Sequence, residues 1–242
     1  MTPGPQTVRP EVDGRAPSGW VDLSTVDPTI LVEIRYQASH NFVGRPVDGY
    51  LEPVCLLPER TARALQRVQA AASAEGYRLK VYECYRPLRA TADFLRWRDT
   101  PDETMRAEFY PGLTKAELFS RGFIASRSAH SAGAAVDVTL VAVPAARQRP
   151  YVPGEPLVAC TAPAGTRFPD NSIDMGTGYD CFDARSHTTD ARIAGEAREN
   201  RLRLRRLMGE GGFTAYATEW WHFELGGRSG YFDFPVARGA LG

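Results

Sequence analysis

An acid sits in the middle of a predicted strand. Residues 135–140 read Ala-Val-Asp-Val-Thr-Leu, an alternating, β-branched run. Alternation puts Asp137 on one face with Ala135 and Thr139, opposite Val136 and Val138. A carboxylate on a strand whose other face is Val, Val and Leu is costly unless it is paired or bound to a metal. The fold must therefore deliver a partner to Asp137. Seven residues earlier stands His130, one of only four histidines (His40, His130, His187 and His222), and Gly133 between them lets the chain turn tightly.

The second piece is Glu219-Trp-Trp-His222. In a strand over 221–225, His222 and Glu224 face one way, and Trp221, Phe223 and Leu225 the other. Glu219 is three residues from His222, so a straight strand would put it on the opposite face. For both to reach one point, the backbone must turn or bulge around Trp220. His130, Asp137 and His222 make three protein ligands and leave a fourth position for water, the pattern of a catalytic zinc. The expected cofactor is one zinc ion per chain. The metal lowers the pKa of that water, and Glu219 is placed to take its proton and pass it to a leaving amine. Taken singly, a His is usually a satisfied polar residue and an Asp usually faces water. The joint pattern of Ser-x-His-x-x-Gly-x-Ala-x-Asp with Glu-Trp-Trp-His carries the reading.

The rest of the chain frames these pieces. Residues 58–74 predict a helix, with Leu65, Val68 and Ala72 on one face and Gly76 as its stop. A strand over 79–82 and a second helix over 87–98 follow. Thr114 and Glu117 form a capping box for a short third helix. Residues 141–178 lack periodicity and read as a long loop or insertion. A helix over 190–208 and strands over 213–217 and 221–225 complete the pattern. Helices and strands do not alternate regularly, so the expectation is an α+β single domain with a small, mostly antiparallel sheet flanked by helices.

Lys+Arg and Asp+Glu are both 29, so no bulk charge directs the chain to nucleic acid or an anionic membrane. No apolar run approaches the roughly 20 residues of a membrane helix. Arg198, Arg201, Arg203, Arg205 and Arg206 read as a solvated helix face, and His187 as a residue that supports a ligand or starts a helix, with a fourth metal ligand as the alternative. Ser128 lacks a Gly-x-Ser-x-Gly elbow and is no serine nucleophile. Residues 1–20, rich in Pro and Gly without an apolar run, read as a disordered leader ahead of a domain over 21–242. Cys55, Cys84, Cys160 and Cys181 form no Cys-x-x-Cys pair. They are either buried thiols or two disulfides in one of three pairings, the latter implying an oxidising compartment. The sequence carries no signal for oligomeric state.

At these residues the chain resembles the VanX-type D-alanyl-D-alanine dipeptidases, within the zinc peptidases related to lysostaphin and the hedgehog N-terminal domain. Asn41-Phe-Val-Gly-Arg-Pro-Val-Asp-Gly-Tyr50, Glu83-Cys-Tyr-Arg-Pro87, Asp174-Met-Gly-Thr-Gly-Tyr-Asp180, Phe182 to His187, Asn200 to Leu207, Glu219 to Phe223 and Tyr231 to Pro235 resemble family blocks in the same order. The resemblance spans about residues 30 to 236. It implies a hedgehog/D,D-peptidase-like fold, with His130, Asp137 and His222 as zinc ligands and Glu219 as general base. Arg86 would face the oxygen of the tetrahedral intermediate, and Asp180 would pair with the substrate's free amino group. Ser128, the Tyr50 region and Tyr36 would lie at the small substrate pocket.

Three departures stand out. Residues 141–173 are longer than in the shortest members, so the loop is expected to reshape the entrance. Glu83 stands where an Asp is common. The four cysteines are absent from the cytoplasmic resistance enzymes; Cys55 with Cys84 and Cys160 with Cys181 are the expected pairs, and with the leader they favour an exported protein over a cytoplasmic one. The implied activity is hydrolysis of the D-Ala-D-Ala dipeptide in wall turnover or glycopeptide resistance. The alternatives are a D,D-carboxypeptidase or other peptidoglycan peptidase on the same scaffold, and a non-catalytic zinc module. Glu219 and Arg86 argue against the last.

Overall fold

The alternating run around Asp137 becomes the central strand of a five-stranded sheet. A computed structural model describes residues 14–227 and 230–242. In chain order the elements are β1 (Trp20–Asp22), α1 (Leu23–Val26), β2 (Leu31–Val32), β3 (Leu56–Pro58), α2 (Glu59–Ala74), β4 (Tyr77–Glu83), α3 (Leu88–Arg98), α4 (Arg106–Phe109), α5 (Lys115–Ser120), β5 (Ala135–Ala142), α6 (Gly195–Glu210), β6 (Thr214–Ala215) and β7 (His222–Glu224). The sheet runs β2-β4-β5-β7-β6, and only the β2–β4 pair is parallel. β1 and β3 form a separate antiparallel pair. This is the α+β arrangement expected from the sequence.

The apolar face of the sheet makes the core. Val136, Val138 and Leu140 of β5 and Leu79 and Val81 of β4 are fully buried, with Leu65, Val68 and Ala72 of α2 in the same cluster. Burying each Val or Leu side chain contributes about 1.5–3 kcal/mol. The other face is polar but equally hidden. Asp137 occupies one end of it, and Thr139 and Lys80 continue it. Lys80 Nζ donates to Asp170 at 2.5 Å, Asn171 at 2.7 Å and Glu33 at 3.0 Å. The long loop thus covers the polar face of the sheet and supplies the charges that make its burial tolerable.

Several boundaries differ from expectation for local reasons. α6 begins at Gly195 rather than at Asp190, because the Asp190 carboxylate accepts from the Arg192 backbone N and side chain, a local bond that competes with helix formation. Residues 14–20 belong to the domain rather than to a leader: Ala16 N donates to Ala240 O and Trp20 opens β1. The first 13 residues of that predicted leader lie outside the described residues. Arg201, read as part of a solvated face, is buried and donates to the carbonyls of Met175, Arg185 and His187. The thiols are all paired, Cys55 with Cys84 and Cys160 with Cys181.

Candidate active site

His130 lies on a 3-10 turn, Ala129–Ala132, capped by the Ser128 hydroxyl, which accepts from His130 N at 3.2 Å. Gly133 then takes φ +63° and turns the chain into β5. β5 pairs Asp137 with His222 on β7. The turn required before His222 is present: His222 N donates to Glu219 O at 3.3 Å across Trp220 and Trp221. The Trp220 indole and the Trp221 backbone anchor it. Trp220 Nε1 donates to Thr177 Oγ1 at 2.9 Å, and Trp221 O accepts from Val138 N at 3.0 Å.

Three ligand-type atoms converge. Asp137 Oδ1 is 3.2 Å from His130 Nε2 and 3.1 Å from His222 Nδ1, and the two nitrogens are 3.1 Å apart. His130 Nδ1 lies 2.7 Å from the Cys84 carbonyl, which only accepts, so that nitrogen carries the proton and Nε2 presents a lone pair. A lone pair, a carboxylate oxygen and a second imidazole nitrogen facing one point form an electron-rich pocket that suits a cation. Tyr179 donates to the other oxygen, Asp137 Oδ2, at 2.9 Å and fixes the carboxylate plane. Burial opposes ionisation of Asp137, but the two imidazoles hold it well below the usual carboxylate range. Burial lowers His222 too, yet Asp137 and Glu224 outweigh it and push the ring up to about 10.

Around this cluster lies a cavity of about 150 Å³, lined by Tyr36, Arg86, Ser128, Asp180 and Glu219 with Phe42, Phe94, Phe123 and Phe182 as apolar walls. Glu219 Oε2 is 3.9 Å from His222 Nδ1, and burial pushes its carboxyl up to about 7. Asp180 sits at φ +53°, a left-handed conformation that an Asp tolerates, and accepts from the Tyr36 hydroxyl at 2.8 Å. Burial first, then the neighbouring Asp137, push Asp180 well above its ordinary range. Arg86 is fixed by two bonds to the fully buried Glu83, Nε to Oε1 at 2.7 Å and Nη2 to Oε2 at 2.5 Å.

The model of the D-ala-D-ala dipeptidase family (Peptidase_M15) matches residues 16–144 and 169–237. The chain belongs to this family. It is 37% identical over 209 residues to a D-alanyl-D-alanine dipeptidase of Streptomyces coelicolor, covering 85% of this chain and 92% of the relative. It is 32% identical over 222 residues to the D-alanyl-D-alanine dipeptidase of Enterococcus faecium, covering 90% and 98%. An Escherichia coli D-alanyl-D-alanine dipeptidase is 29% identical over 205 residues, covering 85% and 83%. The family makes this chain a metallopeptidase.

Two expectations change. Tyr50 does not line the cavity; it is buried behind it and donates its hydroxyl to Glu83. Among the described residues, none from 141–173 lines the cavity either, so the long loop forms no part of its wall. The family match breaks between residues 144 and 169 within that loop, where Tyr151 stacks on His40 with ring centroids 4.5 Å apart. His187 closes a 3-10 turn away from the cluster. Tyr179 acts through Asp137, 42 residues away, and Glu83 reaches Arg86 only because the chain turns out of β4 between them. The clue for Tyr179 was its place beside Asp180.

Proposed function

We propose that this chain is a zinc-dependent dipeptidase that hydrolyses free D-Ala-D-Ala. The observation that carries this reading is the meeting, in one small cavity, of the His130–Asp137–His222 cluster, the buried Glu219 and the separate buried carboxyl of Asp180. His130, Asp137 and His222 would hold the ion; when bound, zinc polarises the peptide carbonyl and acidifies water. Glu219 in its ionised form takes the water proton and returns it to the leaving amine. Arg86, its plane set by Glu83, offers a cation where the carbonyl oxygen gains negative charge. Asp180 answers the free ammonium of the substrate, a charge that only a peptide cut one residue from its N-terminus presents here. The cavity is smaller than the roughly 300–1,000 Å³ typical of sites for drug-sized ligands, which favours a dipeptide.

A second reading, a D,D-carboxypeptidase, draws on one observation. An open groove of about 530 Å³ shares Gly122, Phe123, Phe182 and Tyr216 with the cavity wall and offers room for a longer acyl portion. Incubation with D-Ala-D-Ala and with a muropeptide ending in D-Ala-D-Ala separates the two. Dipeptide cleavage lost on chelation and restored by zinc is expected; cleavage of the muropeptide alone would refute the dipeptidase reading. The two disulfides support an exported location, where an oxidising environment keeps them closed.

A further inference from the structure

The segment between β4 and α3 carries more of the site than its length suggests. β4 would end with its side chains alternating, but the register shifts between Val81 and Glu83, so that Glu83, not Tyr82, stands opposite Asp137. This bulge turns Glu83 onto the ligand face of the sheet. Cys84, Tyr85 and Arg86 then run on outside any strand. Two hydrogen bonds tie this stretch to His130. The His130 ring donates to Cys84 O at 2.7 Å, and Arg86 N donates to His130 O at 3.2 Å. A carbonyl beyond the ladder has no strand neighbour to hold it, yet this one sets which imidazole nitrogen faces the ligand cluster.

Cys84 is anchored from the other side. Its disulfide runs to Cys55, whose own carbonyl accepts from Leu23 N at 2.9 Å, and Tyr85 N donates to Leu56 O at 3.2 Å. The bond thereby ties the end of β4 to the β1–β3 pair, a separate sheet.

We propose that the Cys55–Cys84 disulfide is a positioning element for the metal centre: by anchoring the Cys84 carbonyl it holds the His130 ring with Nε2 toward Asp137 and His222, and it holds Arg86 in place beside it. This rests on the metal reading above. A carbonyl that receives a ligand's second ring proton is an outer support of the site, and loss of such supports costs about 10–100-fold in metal affinity or activity.

The test uses the full chain loaded with Co²⁺, whose visible absorption reports ligand geometry and whose transfer to excess chelator gives a release rate. The Cys55→Ser, Cys84→Ser double variant is expected to stay folded by circular dichroism and to release Co²⁺ about 10-fold faster. Its visible band should be altered, and its kcat on D-Ala-D-Ala should fall while KM stays close to that of the native chain. The Cys160→Ser, Cys181→Ser pair is the comparison, since Cys160 is tied to Glu108, Phe109 and Gly178 and reaches a ligand only through the neighbouring Tyr179; its Co²⁺ release should change by much less than that of the Cys55/Cys84 variant. If the serine pair fails to fold, Cys55→Ala with Cys84→Ala gives the same readouts in a less polar form. Unchanged release and spectrum in a folded variant, or equal acceleration in both double variants, would overturn the proposal. A native chain that does not retain Co²⁺ would overturn the metal reading with it, whereas a retentive native chain with an unaffected variant overturns the disulfide's role alone.

Discussion

Glu219 and Asp180 are buried carboxyls of one cavity, and the proposed function gives them different tasks. A base works ionised, so activity is lost as pH falls through its pKa. Burial sets Glu219 at about 7, and a dication beside it draws it back toward the ordinary 4.5. The kcat/KM profile should therefore show its acid limb between those values; a profile flat to below 4.5 removes Glu219 as the base. Glu219→Gln should retain metal and lose about 10²–10⁴-fold in kcat. Asp180, pushed up by burial and Asp137, regains its charge when an ammonium arrives. Asp180→Asn should raise KM for D-Ala-D-Ala about 10–100-fold while leaving an N-acetylated analogue as poor a substrate as before. A D180N enzyme with native KM would sink the ammonium assignment. The meeting of His130, Asp137 and His222 was legible in the sequence because an acid on a β-branched strand demands a partner. Tyr179 was not, because a hydroxyl gives no sign of which distant group it will meet, nor was Glu83, because its hold on Arg86 depends on the bulge at the end of β4.

Among the elements, the turns do the positioning. The turn at Trp220–Trp221 was legible as a geometric necessity, since Glu219 and His222 could not otherwise share a side. Gly133 was legible as a tight turn, but the reason it must be Gly is tertiary. A Cβ there would come within 2.4 Å of the Trp20 ring and 2.6 Å of Pro58, at φ +63°. Neither neighbour is the far end of a flexible chain, so Gly133→Ala should cost about 2–4 kcal/mol, measured as a shift in urea midpoint. The role of the long loop was not legible, because its work is done by Asp170 and Asn171 against side chains far back in the chain. Asp170 bonds Lys80 and also pairs with Arg35, both buried. Burial alone would raise its pKa, but the two cations hold it well below the usual range. With the folded pKa depressed, its contribution to stability is present above the unfolded carboxylate pKa and is lost as pH falls below it. Asp170→Asn leaves the buried Lys80 and Arg35 to share Glu33 as their remaining carboxylate and should destabilise by about 3 kcal/mol near neutrality, with the difference from the native chain shrinking in acid. Equal stability of the two proteins at neutral pH would show that the network is not held by charge.

For the whole molecule, the question is what joins two sheets and a long irregular segment into one folding unit. α2 and the apolar face of the sheet do part of it, and that part was legible from helical and strand periodicity. The cysteine pairs do the rest: one joins β4 to the β1–β3 pair, and the other pins the loop at Cys160 to the chain beside Asp180. Periodicity cannot report such ties, since both join irregular positions. Their sequence separations are 29 and 21 residues. Chain-entropy arguments give about 3–4 kcal/mol for each closed loop, hence roughly 7 kcal/mol together, comparable with the whole stability of many domains. Metal binding contributes on the same scale, about 2.7 kcal/mol when the free ion is a hundredfold above its Kd. Reduction and metal removal should therefore compound. The oxidised, zinc-loaded chain is expected to melt highest, and either treatment alone should lower Tm while leaving a cooperative transition. The reduced, chelated chain should lose cooperativity at ordinary temperature. Thermal melts of the four forms followed by circular dichroism check this. If reduction leaves Tm unchanged with or without metal, the ties are incidental and the two sheets are joined by packing alone.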